Sequence, residues 1–409
     1  MYDVYKIRND FPMLREPQTM QGHPLVFLDN ASTTFKPDRV LDAMDVYNRK
    51  ETANSHRGDY DLCNKADRAV AKARESVARF LNAGVNEIVF TAGATSALNL
   101  VAYGYCLKVL KPGDEILISL AEHASNVLPW FRIASLTGAK VKYIPLSEGN
   151  RITVEAVKTA LTPHTKFVSV AYVGNVLGYI APIKEIAALA HANGAVLCVD
   201  GAQSTPHLKT DVKDLDCDFL AFSGHKFCAP TGTGALYGKY DLLCAMDPFE
   251  TGGGMNVKFY PDGTATYLLP PMKFEAGTLN VAGIIGLGEA VEYVSSIGLE
   301  EISAHEHMLK AYAVEKLLAT GMVDIYNADS EGGIVTFNVH GVFSQDFATY
   351  LNAQGIACRS GQHCAKMLND VLCVPATVRA SFYLYTTKEE IDALVEAVKH
   401  GGNFLDAYF

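Results

Sequence analysis

Apolar, strand-like segments alternate with helix-like segments from about residue 87 to about residue 235, and this alternation limits the fold more than any other feature. The strand-like segments contain few polar positions, which is typical of strands that are buried on both faces. One helix-like segment has apolar residues at helical spacing and ends at Gly194, the position of a C-terminal cap. We therefore predict an α/β fold with a mostly parallel sheet between helices. The predicted strands are EIVFTAG, EILISL, VKYIPL, KFVSVAYV, AVLCVD, DFLAFS and TGALYG.

The composition and net charge of the chain exclude several classes of protein. Of the 409 residues 49% are hydrophobic and 20% are charged, as in ordinary globular proteins. The formal net charge of −10 argues against a surface for nucleic acid or anionic membrane. No signal peptide and no bilayer-spanning apolar run is evident. The nine cysteines form no CxxC pair, which favours reduced thiols without a structural metal. We therefore expect a cytoplasmic protein.

The pattern changes after Gly288, where a long helical stretch precedes a second set of strands. IVTFNV, GIACRS and RASFYLY are the predicted strands, and the helix KEEIDALVEAVKH closes the chain. We predict a large domain at 21–290, a smaller C-terminal α/β domain at 291–409, and an N-terminal segment at 1–20 that packs on the small domain. Residues 249–271 contain many Gly, Pro and Tyr, and we predict a long loop there.

Lys226 directly follows a predicted strand and stands beside Gly224, Ser223 and His225. A lysine at the end of a buried strand packs poorly but suits a covalent anchor. Asp200 ends another predicted strand, although an aspartate there is also a common helix cap. Since parallel strands direct their carboxyl ends toward the ligand crevice, both side chains should face one cleft. An amine and a carboxylate in one cleft suit pyridoxal phosphate, which needs them at its aldehyde and its pyridinium nitrogen.

Further side chains can complete such a site. Ala94 and Thr95 lie between a predicted strand and helix, where free N–H groups favour a phosphate, although Thr95 is alternatively a simple cap. The two side chains that flank Lys226 can reach the same phosphate. Gln203 can bond the phenolic oxygen of the cofactor. His123 can stack on its ring and move protons, or it can be an ordinary structural histidine.

Seven segments follow one another along the chain: TAGATSALNLVA, AEHASNVLPW, AYVGNVLG, VDGAQS, FSGHKFCAPTGTGALYG, FEAGTLN and RSGQHCAKML. Together they resemble the cysteine desulfurases, in particular the Suf-type (group II) branch of the class V aminotransferase family. The resemblance runs from about Phe27 to the C-terminus. It implies a pyridoxal-phosphate-dependent transferase of fold type I, a homodimer that takes sulfur from L-cysteine and releases L-alanine.

The resemblance also implies a role for each matching residue. Lys226 would carry the cofactor, Asp200 would pair with the pyridinium nitrogen, and His123 would stack on the ring. Thr278 would reach the phosphate of the neighbouring subunit's cofactor. The phosphate contacts would be Ala94, Thr95, Ser223 and His225, the ring-oxygen contact Gln203, and the substrate-carboxylate contacts Asn175, Arg379 and Arg359.

Cys364 distinguishes this prediction from other enzymes with the same cofactor. It lies in a polar turn, RSGQHCA, and positive neighbours at His363 and Arg359 would favour its thiolate. Most other cysteines should be inert core residues, and Cys198 is an example. The resemblance implies that Cys364 attacks the substrate sulfur and becomes a persulfide. An acceptor protein, SufE-like or SufU-like, would then take the sulfur for iron–sulfur cluster assembly.

Two alternatives remain open. A selenocysteine lyase, an aminotransferase or a kynureninase-like hydrolase would use Lys226 and Asp200 in the same way. Only Cys364 distinguishes among them, and it does not exclude selenocysteine as the substrate. A non-catalytic sulfur carrier or scaffold would need only Cys364 and an exposed docking face. The presence of Lys226, Asp200, His123 and Arg379 argues against a carrier.

Overall fold

A computed structural model describes residues 2–55 and 58–401 of the chain. Residue 1 of the predicted N-terminal segment and residues 402–409 of the predicted small domain lie outside the described residues. A seven-stranded sheet has the order β1-β7-β6-β5-β4-β2-β3. Neighbouring strands from β2 to β6 are parallel, and β7 is antiparallel to both β1 and β6. The strands are β1 (Ile88–Thr91), β2 (Glu115–Ser119), β3 (Lys140–Ile144), β4 (Thr165–Ala171), β5 (Val196–Asp200), β6 (Phe219–Ser223) and β7 (Gly234–Gly238).

All seven predicted strands of this sheet are confirmed, and so is its mostly parallel character. The central strands are buried on both faces: Ile116 and Ile118 of β2 enter one core, and Leu117 enters the other. This two-sided burial explains why the segments lack polar alternation. The edge strand β3 instead exposes Lys140 and Lys142, and charged side chains of this kind discourage pairing with another chain.

Helices pack on both faces of the sheet. The predicted helix before Gly194 is confirmed at Ile183–Ala192, and Gly194 has a φ of +70°, as a left-handed helix end requires. The α-helices among the described residues are Val4–Arg8, Pro12–Arg15, Asp38–Val46, Asp61–Leu81, Ala94–Val101, Leu107–Val109, Leu128–Thr137, Val154–Ala160, Ile183–Ala192, Val212–Leu215, Tyr240–Ala245, Val281–Ile297, Leu299–Ala319, Ser344–Ala353, Lys366–Val371 and Lys388–Lys399.

A second, antiparallel sheet lies in the C-terminal part of the chain and has the order β8-β9-β11-β10. The predicted strand GIACRS forms two short pieces, of which Ile356–Ala357 pairs with Val26–Phe27. The predicted strand RASFYLY is shorter than expected, because pairing ends at Ser381 and the chain then turns. The four strands are β8 (Val323–Ile325), β9 (Ile334–Val339), β10 (Arg359–Gly361) and β11 (Thr377–Ser381).

The long helical stretch predicted after Gly288 is two helices, Val281–Ile297 and Leu299–Ala319, which meet at 73°. Gly298 separates them with a φ of +99°, a conformation that other residues rarely adopt. Among the described residues no single helix is long and apolar enough to cross a membrane, and only this bent pair, taken together, meets that criterion. The N-terminal segment contacts the chain near its other end, where Arg8 Nη1 donates to Tyr385 O at 2.7 Å.

The prediction of an irregular loop at 249–271 is wrong. Asn256–Phe259 and Ala265–Tyr267 form an antiparallel hairpin. Its turn contains Asp262, whose side chain accepts from the backbone N–H of Thr264, and Gly263 with a φ of +87°. An Asp-Gly pair between alternating segments is a recognised hairpin signal, and the sequence contains it.

A buried ion pair joins helix Asp61–Leu81 to the segment that follows the hairpin. Arg74 binds Glu275 through two hydrogen bonds of 2.8 and 2.7 Å, and the backbone N–H of Phe90 donates to the same carboxylate. Replacing Glu275 with alanine would leave the guanidinium buried without its anion. We expect a loss of about 3–5 kcal/mol in the free energy of unfolding, measured by urea denaturation.

The matched control for this change is Glu396→Ala, which removes an exposed carboxylate paired with Lys399 and His400. Exposed pairs contribute little, so the control should lose less than about 1 kcal/mol. Equal losses in the two variants would contradict the importance of the buried pair.

Candidate active site

A cavity of about 240 Å³ opens where β4, β5 and β6 end. Ala171, Asp200 and Ser223, the last residues of these strands, all line it, as expected for an open α/β sheet. Arg359 and Arg379 reach it from the small sheet. The predicted site residues that the structure brings together here are Ala94, Thr95, His123, Asn175, Asp200, Gln203, Ser223, His225, Lys226, Arg359 and Arg379.

Lys226 lies in a tight turn between β6 and β7. Gly224 is needed in this turn, since an added Cβ would come within 2.5 Å of Thr233 Oγ1. Burial lowers the pKa of Lys226 to about 8, with smaller contributions in the same direction from Arg379 and Arg359. The Asp200 carboxylate opposes this effect. A substantial fraction of the amine is therefore neutral near pH 8, as a nucleophile or base requires.

Asp200 ends β5 as a buried carboxylate. Its Oδ1 accepts a hydrogen bond of 3.0 Å from the backbone N–H of Ala202, so it does brace the following turn. It also lines the cavity, so bracing is not its only contact. Burial raises its pKa, while the Ala202 N–H and Lys226 act in the opposite direction. A buried carboxylate of this kind favours a cationic partner, such as a protonated ring nitrogen.

A second part of the cavity wall, formed by the start of a helix, suits an anion. Helix Ala94–Val101 begins there after Gly93, whose φ is +142°, and its first N–H groups have no partner within the helix. Ala94 N donates to Ser223 Oγ at 2.8 Å. Thr95 is not a helix cap, because its Oγ1 bonds Ser125 Oγ at 2.7 Å across the cavity wall. The sequence prediction missed Ser125, although it stands only two residues after His123.

The histidines of the cavity are neutral. Nδ1 of His123 accepts from the backbone N–H of Ser125 at 3.1 Å, so its proton is assigned to Nε2. Burial, assisted by Lys226, Arg359 and Arg379, lowers the pKa of His123 to about 4. Burial and the neighbouring lysines also lower the pKa of His225 to about 4. Both rings can therefore bond or stack without charge at neutral pH.

Gln203 and Asn175 hold backbone groups around the cavity. Gln203 Nε2 donates to Ala31 O at 2.8 Å, and Asn175 Nδ2 donates to His363 O at 2.9 Å. The second bond joins the segment after β4 to the turn that carries Cys364. These contacts fix the wall of the cavity through long-range bonds.

Arg379 is 1% exposed and anchors the side of the cavity nearest the small sheet. Its Nη1 donates to Asn175 O at 2.8 Å, and its Nη2 donates to Asp29 Oδ1 at 3.0 Å and to Ser32 Oγ at 2.8 Å. Its Nε is buried and has no partner among the described residues. A buried N–H without an acceptor costs about 1–3 kcal/mol, so this donor is free to bond an acceptor that reaches it. The sequence prediction missed Asp29 and Ser32, and their signal was the polar run DNAST after a short apolar strand.

Cys364 is exposed and does not line the cavity, but its Sγ lies 3.3 Å from Nη2 of Arg359, which does. The prediction that His363 supplies positive charge is wrong. Its Nε2 contacts Thr377 O and Oγ1 at 3.1 and 2.9 Å, and burial lowers its pKa to about 3. Cys198 is buried, as predicted.

Thr278 is the predicted site residue that lies apart from the others. It borders a second cavity of about 290 Å³, and its Oγ1 accepts a hydrogen bond of 3.1 Å from Asn54 Nδ2. A role at the cofactor would therefore require a second copy of the chain, and it stays a prediction.

Three features fit this cavity to pyridoxal phosphate. Lys226 offers an amine with a lowered pKa, Asp200 offers a buried carboxylate, and the helix that begins at Ala94 offers an anion site. Within the described ranges no group of three or more His, Cys, Asp or Glu side chains is arranged to hold a metal ion.

Comparisons with known proteins agree with this geometry. Residues 26–394 match the class V aminotransferase family. A probable cysteine desulfurase of Halalkalibacterium halodurans is 47% identical over 97% of each chain, and a cysteine desulfurase of Haloferax volcanii is 43% identical over 97% of this chain and 96% of the relative. The crystal structure of the Escherichia coli cysteine desulfurase CsdA has a TM-score of 0.91 and 37% identity, and covers 98% of this chain and 99% of its own. A Thermococcus onnurineus cysteine desulfurase has a TM-score of 0.92 and 36% identity, with 98% of both chains covered. The fold is that of the pyridoxal-phosphate-dependent transferases, and the chain belongs to the class V aminotransferase family and, within it, to the cysteine desulfurases.

Proposed function

We propose that this chain converts L-cysteine to L-alanine and keeps the released sulfur as a persulfide on Cys364. The observation that carries the proposal is the contact between Cys364 Sγ and Arg359, 3.3 Å long, at the edge of a cavity that contains Lys226 and Asp200. The contact places the sulfur of Cys364 beside an arginine that lines the cavity, within reach of a bound substrate's side of the site. An aminotransferase or hydrolase on this scaffold has no use for such a thiol.

Different residues of the cavity would hold different groups of the cofactor. Lys226 would bind its aldehyde carbon and Asp200 would pair with its ring nitrogen, while Gln203 would contact the ring oxygen and His123 the ring face. When bound, pyridoxal phosphate would supply an electron sink for negative charge at the substrate Cα. The phosphate contacts would be Ala94, Thr95, Ser223 and His225.

The remaining steps belong to the protein's own side chains. Arg379 binds the substrate carboxylate, with Asn175 and Arg359 as further contacts. Neutral Lys226 Nζ accepts the proton from Cα, which its lowered pKa favours. The Cys364 thiolate attacks the substrate Sγ, so that an S–S bond forms and the Cβ–Sγ bond breaks. The bonding pair stays on Cβ, which takes up a proton, and Lys226 returns its proton to Cα to give alanine. His123 Nε2 is a hydrogen-bond donor within the cavity during these steps.

We also propose that the enzyme is a homodimer in which Thr278 completes the partner's site. The position of Thr278 on a separate cavity of about 290 Å³ supports this proposal.

The exposed Cys364 thiol suits delivery to an acceptor protein, SufE-like or SufU-like, for iron–sulfur cluster assembly in the cytoplasm. The short segment from Arg359 to Cys364 supports the Suf-type branch, and the two sheets support a division into domains at 21–290 and 291–409.

The purified protein with bound cofactor and L-cysteine tests this function. We expect equal amounts of alanine and sulfane sulfur, and an added sulfur atom on the peptide that contains Cys364, detected by mass spectrometry. Amino-group transfer to a keto acid without released sulfur would instead indicate another class V enzyme. Sulfur bound at Cys364 without any alanine, in a protein that binds no cofactor, would indicate a carrier.

A further inference from the structure

The segment 29–32 is fixed against strand β11, which carries Arg379. Ser381 N donates to Leu28 O at 2.7 Å, and Asn30 Nδ2 donates to Ser381 O at 2.8 Å. Ala31 N donates to Ser381 Oγ at 2.9 Å. These bonds, one between backbones and two that use the side chains of Asn30 and Ser381, hold the segment in register with β11.

Asp29, Ser32 and Arg379 form a closed triangle of hydrogen bonds. Ser32 Oγ donates to Asp29 Oδ1 at 2.7 Å, and Arg379 Nη2 donates to both partners, at 2.8 Å to Ser32 and 3.0 Å to Asp29. Arg359 Nη1 also approaches Ser32 Oγ, at 3.4 Å. A hydroxyl has one donor and two acceptor positions, so Ser32 uses all three. Ser32 is therefore the one hydroxyl shared by both arginines of the cavity among the described residues.

The hydrogen bonds of this triangle use only some of the N–H groups of the Arg379 guanidinium. Nη2 is bound to Asp29 and Ser32, and one bond of Nη1 is used by Asn175 O, whereas Nε has no partner. A guanidinium has five N–H groups in a rigid plane, so fixing Nη2 and Nη1 also fixes the direction of the remaining donors. A carboxylate oxygen that accepts a charge-assisted hydrogen bond from such a donor binds best when the donor is already oriented.

We propose that Ser32, held by Asp29, is a positioning residue that orients Arg379 and so makes the site select substrates with a free α-carboxylate. This inference rests on the proposed function, because it concerns how the same cavity recognises L-cysteine. Ser32 borders the cavity and holds Arg379 at 2.8 Å, with a longer contact of 3.4 Å to Arg359. Removing its hydroxyl changes no charge, so the effect on binding should come from the orientation of the arginines, chiefly Arg379, whose bond to Ser32 is the shorter.

The test compares two ligands in the holoenzyme: L-alanine, the proposed product, and L-alaninamide, which lacks the carboxylate. Their binding is followed by the absorbance change of the cofactor in the wild type, Ser32→Ala and Ser32→Thr. We expect Ser32→Ala to weaken L-alanine about five- to tenfold, as loss of the net contribution of one hydrogen bond predicts, and L-alaninamide less than about twofold. The KM for L-cysteine should rise by a similar factor while kcat stays within about twofold.

Ser32→Thr keeps the hydroxyl and should restore the preference for L-alanine. Equal weakening of both ligands in Ser32→Ala, or an unchanged preference, would overturn the positioning role. A wild type that binds neither ligand and forms no alanine from L-cysteine would instead overturn the proposed function. The two failures are therefore distinguishable.

Discussion

Replacing Lys226 with alanine is expected to lower kcat for alanine formation from L-cysteine by about 10³-fold, the usual contribution of a positioned proton-transfer group. Lys226 is the amine of the cavity whose pKa burial lowers to about 8, so it can be neutral at the pH of the assay. Its removal takes away both the base and the covalent anchor of the cofactor. Borohydride reduction followed by peptide mass spectrometry should find the cofactor on the Lys226 peptide of the wild type and not of the variant.

Two control variants distinguish the role of Lys226 in proton transfer from the effect of its positive charge. Lys226→Arg keeps a positive charge but has a side chain that does not lose its proton in proteins, and we expect it to be as inactive as the alanine variant. Lys184→Ala removes an exposed lysine paired with Asp214 and should retain full activity. A Lys226→Arg enzyme that released alanine at the wild-type rate would exclude Lys226 as the base.

Replacing Cys364 with alanine is expected to lower alanine formation from L-cysteine by about 10²-fold or more, because the variant lacks the nucleophile that receives the sulfur. The KM should stay within about threefold, since Arg379 and Asn175 remain in place to bind the carboxylate. The measurement is steady-state alanine release, together with the amount of sulfur bound to the protein after L-cysteine is added.

Cys373→Ala and Cys244→Ala are the matched controls, because both cysteines are also exposed. Each variant should form alanine and protein-bound sulfur like the wild type. Undiminished turnover in Cys364→Ala would remove that thiol from the mechanism and favour another enzyme of the family.

The parallel sheet was predictable because each central strand is apolar on both sides, as in the case of β2. Two elements were not predicted, for different reasons. Gly298 can be tolerated inside a helix, and only its φ of +99° in the fold shows that the helix bends there. The hairpin from Asn256 to Tyr267 was hidden by a composition rich in Gly and Pro, although its Asp-Gly turn was present.

The candidate site was predictable where a polar residue directly follows an apolar strand, as Asp200 and Lys226 do. Contacts between distant segments were not predictable from such local patterns. Asp29 reaches Arg379 only because a bridge pairs it with β11, 350 residues later along the chain. The direction of the His363 side chain also escaped prediction, since residues 363 and 364 both have positive φ, at +50° and +58°, and turn the ring inward.

In addition to the Asn175 bond to His363 O, the turn that carries Cys364 is bonded to the segment after β2, where Ala124 N donates to Cys364 O at 2.7 Å. This amide therefore exchanges with solvent deuterium only when the turn leaves the wall beside His123. The exchange rate of the Ala124 N–H therefore measures how often the turn that carries Cys364 separates from the cavity wall. The measurement needs no label on the thiol. When the turn separates, this bond breaks, and the Ala124 N–H at the edge of the cavity loses its acceptor.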